Sequence, residues 1–175
     1  GQGGIQQLWE IEAPVIVAIQ GWAIGGSFQR ALLCDIRIAA EGARFMLPET
    51  NYGVIPDTGG VGVLFQMAGH GLVSDMVLTG RALSAEEALA HGIVSRIVAP
   101  EELDATALAM AHEIAGRSAV AIKMARRVIR HLGRPGQVSS MEDELIYQTF
   151  INKSDDYAEL RAAHAEGRDP VFKGS

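Results

Sequence analysis

The chain has 175 residues, of which 48% are hydrophobic and 21% charged, a composition typical of a globular protein with a sizeable core. Its formal net charge of -6 at pH 7 argues against a nucleic-acid partner, because phosphate recognition requires a basic surface. The single cysteine, Cys34, excludes an internal disulfide and a cysteine-based metal site, and the lack of a long apolar run predicts no membrane span.

The first hundred residues alternate between strand and helix patterns. In chain order they predict a helix over residues 5–11, strands over 15–19, 37–40, 44–47 and 93–98, and helices over 27–33, 58–67, 70–79 and 85–91. Ser84 and Glu87 form a capping box for the last of these helices, and Gly92 is expected to end it. A glycine-rich turn over residues 21–26 joins the first strand to a helix.

From residue 101 onward every pattern is helical. Helices are predicted over residues 101–116, 118–132, 139–150 and 154–166, with the run Gly133-Arg134-Pro135-Gly136 as a strong helix breaker. The change from mixed to all-helical patterns places a domain boundary near residue 100. Residues 1–100 are thus expected to form the core that carries the site, and residues 101–175 a helical oligomerisation region.

The glycine turn is a candidate binding site. Consecutive glycines between a buried strand and a helix leave backbone N–H groups free at a helix N-terminus, where they attract an oxyanion or a phosphate. A tight turn without a ligand is an equally good interpretation of these residues alone. The spacing of Gly21, Gly25 and Gly26 does not match the dinucleotide-binding pattern.

Several segments along the chain resemble the signature of the crotonase family, the enoyl-CoA hydratases and isomerases. They are PVIVAIQGWAIGG at residues 14–26, ALLCDIRIAA at 31–40, FMLPE at 45–49, GVIP at 53–56, the pair Gly59-Gly60, LTGR at 78–81, AEEA at 85–88, GIV at 92–94 and EGRDPVFK at 166–173. The resemblance extends over nearly the whole chain. The family's usual N-terminal part is expected to be missing from it.

The resemblance implies an α/β fold: a crotonase-type spiral of repeated β-β-α units with a C-terminal all-helical trimerisation region. It also implies an oxyanion hole for an acyl-CoA thioester oxygen, with one backbone N–H from Gly26 and the other from the family's N-terminal part. The preceding residues Ala23, Ile24 and Gly25 are expected to line the substrate. Fixed donors would stabilise the enolate charge that develops on the thioester oxygen.

Three side chains are candidates for acid/base chemistry. Glu49 follows Pro48 at a strand end beside apolar residues, where desolvation would raise its proton affinity, and it matches the family's acid/base glutamate. Gln29 stands where hydratases carry a second glutamate, and an amide cannot take a proton from water. Asp57 occupies a position that carries a carboxylate in a set of isomerases. The alternatives are a surface role for Gln29 and a helix N-cap for Asp57.

These residues favour double-bond isomerisation through a thioester enolate. The alternatives are an enoyl-CoA hydratase in which Gln29 only orients water, and a non-catalytic acyl-CoA-binding subunit. Gly25-Gly26-Ser27-Phe28-Gln29 resembles a serine-hydrolase elbow only in part, and the scattered histidines predict no metal site. We expect no cofactor beyond the coenzyme A of the substrate, no nucleic-acid or membrane partner, a homotrimer or homohexamer, and a cytoplasmic location.

Overall fold

The computed structural model describes Leu8 and residues 10–174, without the side chains of Arg134 and Pro135. The elements in chain order are β1 (Ile16–Ile19), β2 (Trp22–Ile24), α1 (Gly26–Leu32), β3 (Ile36–Ala40), β4 (Arg44–Met46), α2 (Gly60–Thr79), β5 (Ala82–Ser84), α3 (Ala85–Ala90), β6 (Arg96–Val98), α4 (Leu103–Ala115), α5 (Ala119–Ile151) and α6 (Asp155–Glu166). Short 3-10 helices cover Glu49–Tyr52 and Pro100–Glu102.

The first four strands alternate between two three-stranded sheets, whereas β5 joins the sheet of β4 and β6 joins that of β3. One sheet has the order β1-β3-β6 with parallel pairs, and the other has the order β2-β4-β5, parallel between β2 and β4 and antiparallel between β4 and β5. The first two repeats of the chain each add one strand to both sheets and then a helix, whereas in the third repeat α3 lies between β5 and β6. This arrangement confirms the predicted spiral of β-β-α units.

The main core lies between the sheets and helices α1, α2 and α3. The rings of Phe28 and Phe45 are 5.2 Å apart at its centre, and Leu32, Leu64 and Leu83 are buried around them. Phe28 lies on α1 and Phe45 on β4, so this packing fixes the N-terminal half of α1 against the second sheet. The glycine turn that precedes α1 is held in place by the same contacts.

The chain makes two short strands that the sequence pattern did not predict. β2 lies inside the glycine turn, and β5 lies directly before α3. Each has only three residues, too few for a period of two to stand out, and both exist because β4 pairs with them. The capping box of α3 is confirmed: Ser84 and Glu87 exchange both hydrogen bonds, and Gly92 follows with a φ of 69°.

Residues 60–79, named together α2, consist of two helical pieces that meet at a kink. Gly69 between them has a φ of 77° and a ψ of 173°, so the predicted division into two helices is confirmed. The helix is long and apolar enough to pass a length-and-composition test for a membrane span, contrary to our expectation that no segment would. The kink, however, leaves two helical pieces that are each far shorter than the roughly 20 residues a span requires.

The predicted break at residues 133–136 is wrong, because α5 runs without interruption from Ala119 to Ile151. The two glycines of this run serve close packing against α2 instead. A Cβ atom would lie 3.1 Å from the Gln66 side chain at Gly133 and 2.9 Å from it at Gly136. Gln66 Nε2 also donates a hydrogen bond to Gly133 O (2.9 Å), so tertiary contacts override the low helix propensity here.

The outcome differs among the remaining predicted elements. The helix predicted over residues 5–11 falls mostly outside the described residues, of which Leu8 and Glu10 are helical. The other predicted bounds differ from the observed ones by a few residues, most at the strand predicted over 93–98, where only Arg96–Val98 pair. The domain boundary near residue 100 stays a prediction.

Candidate active site

The glycine turn places α1 beside Glu49. Gly25, the residue before α1, has a φ of 55° and a ψ of -125°, a conformation that side chains disfavour. A Cβ atom on Gly25 would also lie 3.2 Å from Glu49 Oε1. Glycine at this position therefore permits both the backbone turn and the close approach of the carboxylate.

The backbone N–H groups of the turn differ in their partners. The N–H of Gly25 donates to Met46 O (2.9 Å), and that of Ile24 donates to Ser27 Oγ (2.9 Å). Ala23 lies in the middle of β2, opposite Phe45 of β4. Gly26 is the first residue of α1, where a helical N–H has no intrahelical acceptor, so its N–H can serve as the oxyanion donor that the resemblance predicts.

Glu49 begins the 3-10 helix that follows β4, and its side chain is half-buried next to α1. Its Oε1 accepts a hydrogen bond from Gln29 Nε2 (2.9 Å), whereas its buried Oε2 has no partner among the described residues. Burial raises the pKa of Glu49; hydrogen bonds from its own backbone and from Gln29 oppose the rise, and the charge of Asp57 adds to it. Glu49 is therefore a stronger base when ionised than an exposed glutamate.

Gln29 is only 1% exposed, so it is not a surface residue. Its Oε1 accepts hydrogen bonds from the N–H groups of Thr58 (2.9 Å) and Gly60 (3.3 Å), at the start of α2. These two donors fix the orientation of the amide, so Nε2 must face Glu49. Gln29 thus joins α1, α2 and the Glu49 carboxylate through one side chain.

Asp57 lies in the segment between the 3-10 helix and α2, and it is exposed. The interpretation of Asp57 as a helix N-cap is wrong, because the N-cap of α2 is Gly59, without a side-chain hydrogen bond. The charge of Asp57 raises the pKa of both Glu49 and Glu144. The structure therefore brings the three predicted side chains to one site, with Asp57 on its solvent side.

Sequence reasoning missed two residues of α5 that contact this site. Glu144 Oε2 accepts the N–H of Gly59 (2.8 Å), and Gln148 Oε1 accepts the N–H of Ile55 (3.3 Å). Both contacts join residues more than 80 positions apart, so no local sequence pattern predicts them. A hint was available in the helical spacing of the two side chains, which puts them on one face of α5.

The serine of the partial elbow has a local role. Ser27 Oγ accepts the N–H of Ile24 and donates to Ile24 O (2.8 Å). Both bonds close a turn of the backbone ahead of α1, and they use the hydroxyl that a nucleophile would need. Ser27 is therefore a turn-forming residue rather than a nucleophile.

A two-layer spiral of β-β-α units, with a helix N-terminus beside a half-buried carboxylate, defines a crotonase-fold enzyme. The family model described as "Enoyl-CoA hydratase/isomerase" matches residues 1–175. A carnitinyl-CoA dehydratase of Salmonella heidelberg is 36% identical over 99% of this chain and 68% of its own length.

Solved structures agree with these matches. An enoyl-CoA hydratase/isomerase from Pseudoalteromonas atlantica superposes with a TM-score of 0.88 at 31% identity, covering 97% of this chain and 68% of that protein. A carnitinyl-CoA hydratase from Mycobacterium avium superposes with a TM-score of 0.85 at 32% identity, covering 94% of this chain and 64% of that protein. A methylmalonyl-CoA decarboxylase superposes with a TM-score of 0.85 at 29% identity, covering 98% of this chain and 68% of that protein.

The chain belongs to the enoyl-CoA hydratase/isomerase family, the crotonases, and is an acyl-CoA enzyme. The resemblance in its sequence and the predicted fold are thus confirmed. It spans about two thirds of the length of the relatives it matches.

Proposed function

We propose that this protein moves a double bond along an acyl-CoA chain, with Glu49 as the proton carrier and the Gly26 N–H as one donor to the enolate oxygen. One observation carries the proposal: a half-buried glutamate lies against the glycine turn, and its hydrogen-bond partner is an amide rather than a second carboxylate. One carboxylate is sufficient for isomerisation, because the proton removed and the proton returned are carried by the same group.

The reaction proceeds in two proton transfers. The Glu49 carboxylate removes a proton from C2 of a 3-enoyl thioester, and the electron pair moves to the thioester oxygen as a dienolate. The Gly26 N–H donates to this oxygen and lowers the energy of the charged intermediate. The protonated Glu49 then returns a proton to C4, which shifts the double bond from C3–C4 to C2–C3 and restores the carboxylate.

The bonding of Gln29 disfavours water addition at this position. Adding water to a double bond requires a group that takes a proton from the water, and an amide cannot do so. Gln29 Oε1 already accepts the N–H groups of Thr58 and Gly60, which leaves it poorly placed to accept from water as well. Gln29 therefore supports Glu49, and a water activated by Gln29 is not needed.

The test is a pair of substitutions in the full-length protein. Glu49→Gln should lower conversion of a 3-enoyl-CoA into the conjugated 2-enoyl-CoA by about 10²–10⁴-fold, because an amide cannot carry the proton. Glu41→Gln, a substitution in an exposed turn, is the matched control and should leave the rate unchanged. If the Glu49 variant isomerises at the wild-type rate, Glu49 is not the proton carrier.

A second candidate function is removal or addition of water at C3, favoured by the relatives named carnitinyl-CoA dehydratase and hydratase. In that reaction Asp57, whose charge acts on Glu49, would supply the second carboxylate. Asp57→Asn should then abolish water elimination from a 3-hydroxyacyl-CoA. Brisk hydration of a 2-enoyl-CoA by wild-type protein that Asp57→Asn abolishes, together with no isomerisation of a 3-enoyl-CoA, would replace the isomerase proposal with a hydratase.

A further inference from the structure

The backbone that leads into α2 is held by side chains from two other helices. The N–H groups of Thr58, Gly59 and Gly60 are consecutive. They precede or begin α2, so none of them has an acceptor within that helix. Gln29 of α1 accepts the first and the third, and Glu144 of α5 accepts the second at 2.8 Å. The two side chains thus share one short stretch of backbone.

The Glu144 side chain is built into this position. It is 7% exposed, its Oε2 accepts Gly59 N–H, and its Oε1 accepts the hydroxyl of Ser140 at 3.0 Å. The carboxylate lies at the N-terminal end of the first helical piece of α2, where a negative charge is favourable. Burial raises the pKa of Glu144, which the two hydrogen bonds oppose.

The packing around Glu144 leaves little room for α5 to move. A Cβ atom at Gly59 would lie 3.0 Å from Met141, and one at Gly62 would lie 2.9 Å from Ser140. The turn of α5 that carries Glu144 is therefore seated directly on the backbone of α2. A shift of this turn would move the Gly59 N–H and, with it, the neighbouring N–H groups that orient Gln29.

We propose that Glu144 is a positioning residue of the active site, whose side-chain reach holds the Thr58–Gly60 backbone and thereby the Gln29–Glu49 pair. Among the described residues Glu144 makes no hydrogen bond to the glycine turn or to Glu49, and it acts through Gln29. The inference rests on the proposed role of Glu49 as proton carrier. It assigns to the C-terminal helical region a direct part in ordering the site.

Two substitutions distinguish the effect of the length of the Glu144 side chain from the effect of its charge. Glu144→Gln keeps the length of the side chain, so its Oε1 accepts Gly59 N–H and its Nε2 donates to Ser140 Oγ. Glu144→Asp keeps the charge but withdraws the carboxylate by one bond, about 1.5 Å, which takes it out of hydrogen-bonding range. Glu142→Gln, on the same helix but exposed, is the control.

Amide hydrogen exchange and turnover are measured on the full-length variants. We expect Glu144→Asp to exchange faster across residues 55–62 and to lose kcat by about 10- to 100-fold with KM little changed. Glu144→Gln and Glu142→Gln should match wild type in both measurements.

Three results would overturn the inference. They are wild-type behaviour of both Glu144 variants, an equal loss in both, and faster exchange in Glu144→Asp with undiminished kcat. Exchange requires no substrate, so it decides whether Glu144 holds this backbone even if the wild-type protein proves inactive towards enoyl-CoA. Inactivity of the wild type together with unchanged exchange in Glu144→Asp would refute both the proposed function and the positioning role.

Discussion

Gly60→Ala tests the contact on which the site geometry depends most. The Cβ atom of an alanine here would lie 2.7 Å from the Cα, Cβ and Cγ atoms of Gln29, about 0.7 Å short of ordinary contact at 3.4 Å. One of these atoms belongs to the backbone of α1, so the clash cannot be relieved by rotating a side chain alone. Helices α1 and α2 must move apart, or Gln29 must leave its position.

The expected cost follows from three contributions. Overpacking costs about 1–3 kcal/mol, and losing the bonds from Thr58 and Gly60 to Gln29 costs about 1 kcal/mol each. The better helix propensity of alanine offsets about 1 kcal/mol. Gly60→Ala should therefore destabilise the protein by about 2–4 kcal/mol, a fall in Tm of about 4–15 °C, and it should impair turnover because Gln29 no longer orients Glu49.

Gly71→Ala is the matched control, since it makes the same change in the same helix. A Cβ atom there meets nothing within 4 Å, so the variant should be as stable as wild type or more stable by up to about 1 kcal/mol. Thermal and urea unfolding of both variants, followed by circular dichroism, measure the difference. Equal stability of the two variants would show that α1 and α2 are not in the close contact described here.

Three further predictions concern stability and assembly. Burial raises the pKa of Glu49 above its ordinary value of 4.5, so ionisation in the folded state costs stability as the pH rises through the folded pKa. Glu49→Gln should therefore be more stable than wild type by about 1 kcal/mol at pH 7, with no difference below about pH 4 in urea unfolding. Arg126 is 8% exposed and pairs with Asp35 at 2.9 Å; Arg126→Met should cost about 3 kcal/mol in the same assay, whereas replacing the exposed Arg127 should cost little. Phe150 is 76% exposed on an apolar face of α5, so Phe150→Glu should shift the expected trimer or hexamer towards monomer in light scattering, and a wild-type monomer would contradict the predicted assembly.

The sequence by itself determined the features that depend on near neighbours. The capping box of Ser84 and Glu87 joins residues three positions apart, and its geometry follows from backbone dihedrals and one pair of hydrogen bonds. The run from Val15 to Ile19 predicted a strand from its β-branched residues alone, although only Ile19 of β1 is buried. The resemblance to the crotonases directed attention to Gln29, Glu49 and Asp57, and these side chains do lie at one site.

Only the tertiary structure decided how those side chains are held. The contacts of Gln29 with Glu49, Thr58 and Gly60 span 20 to 31 positions, and that of Glu144 with Gly59 spans 85. Contacts at such separations depend on where whole helices pack, which no local pattern records. Long-range packing also explains Gly133 and Gly136 of α5. Sequence rules assign glycine to a helix end, whereas here its small size permits the close approach of α5 to α2.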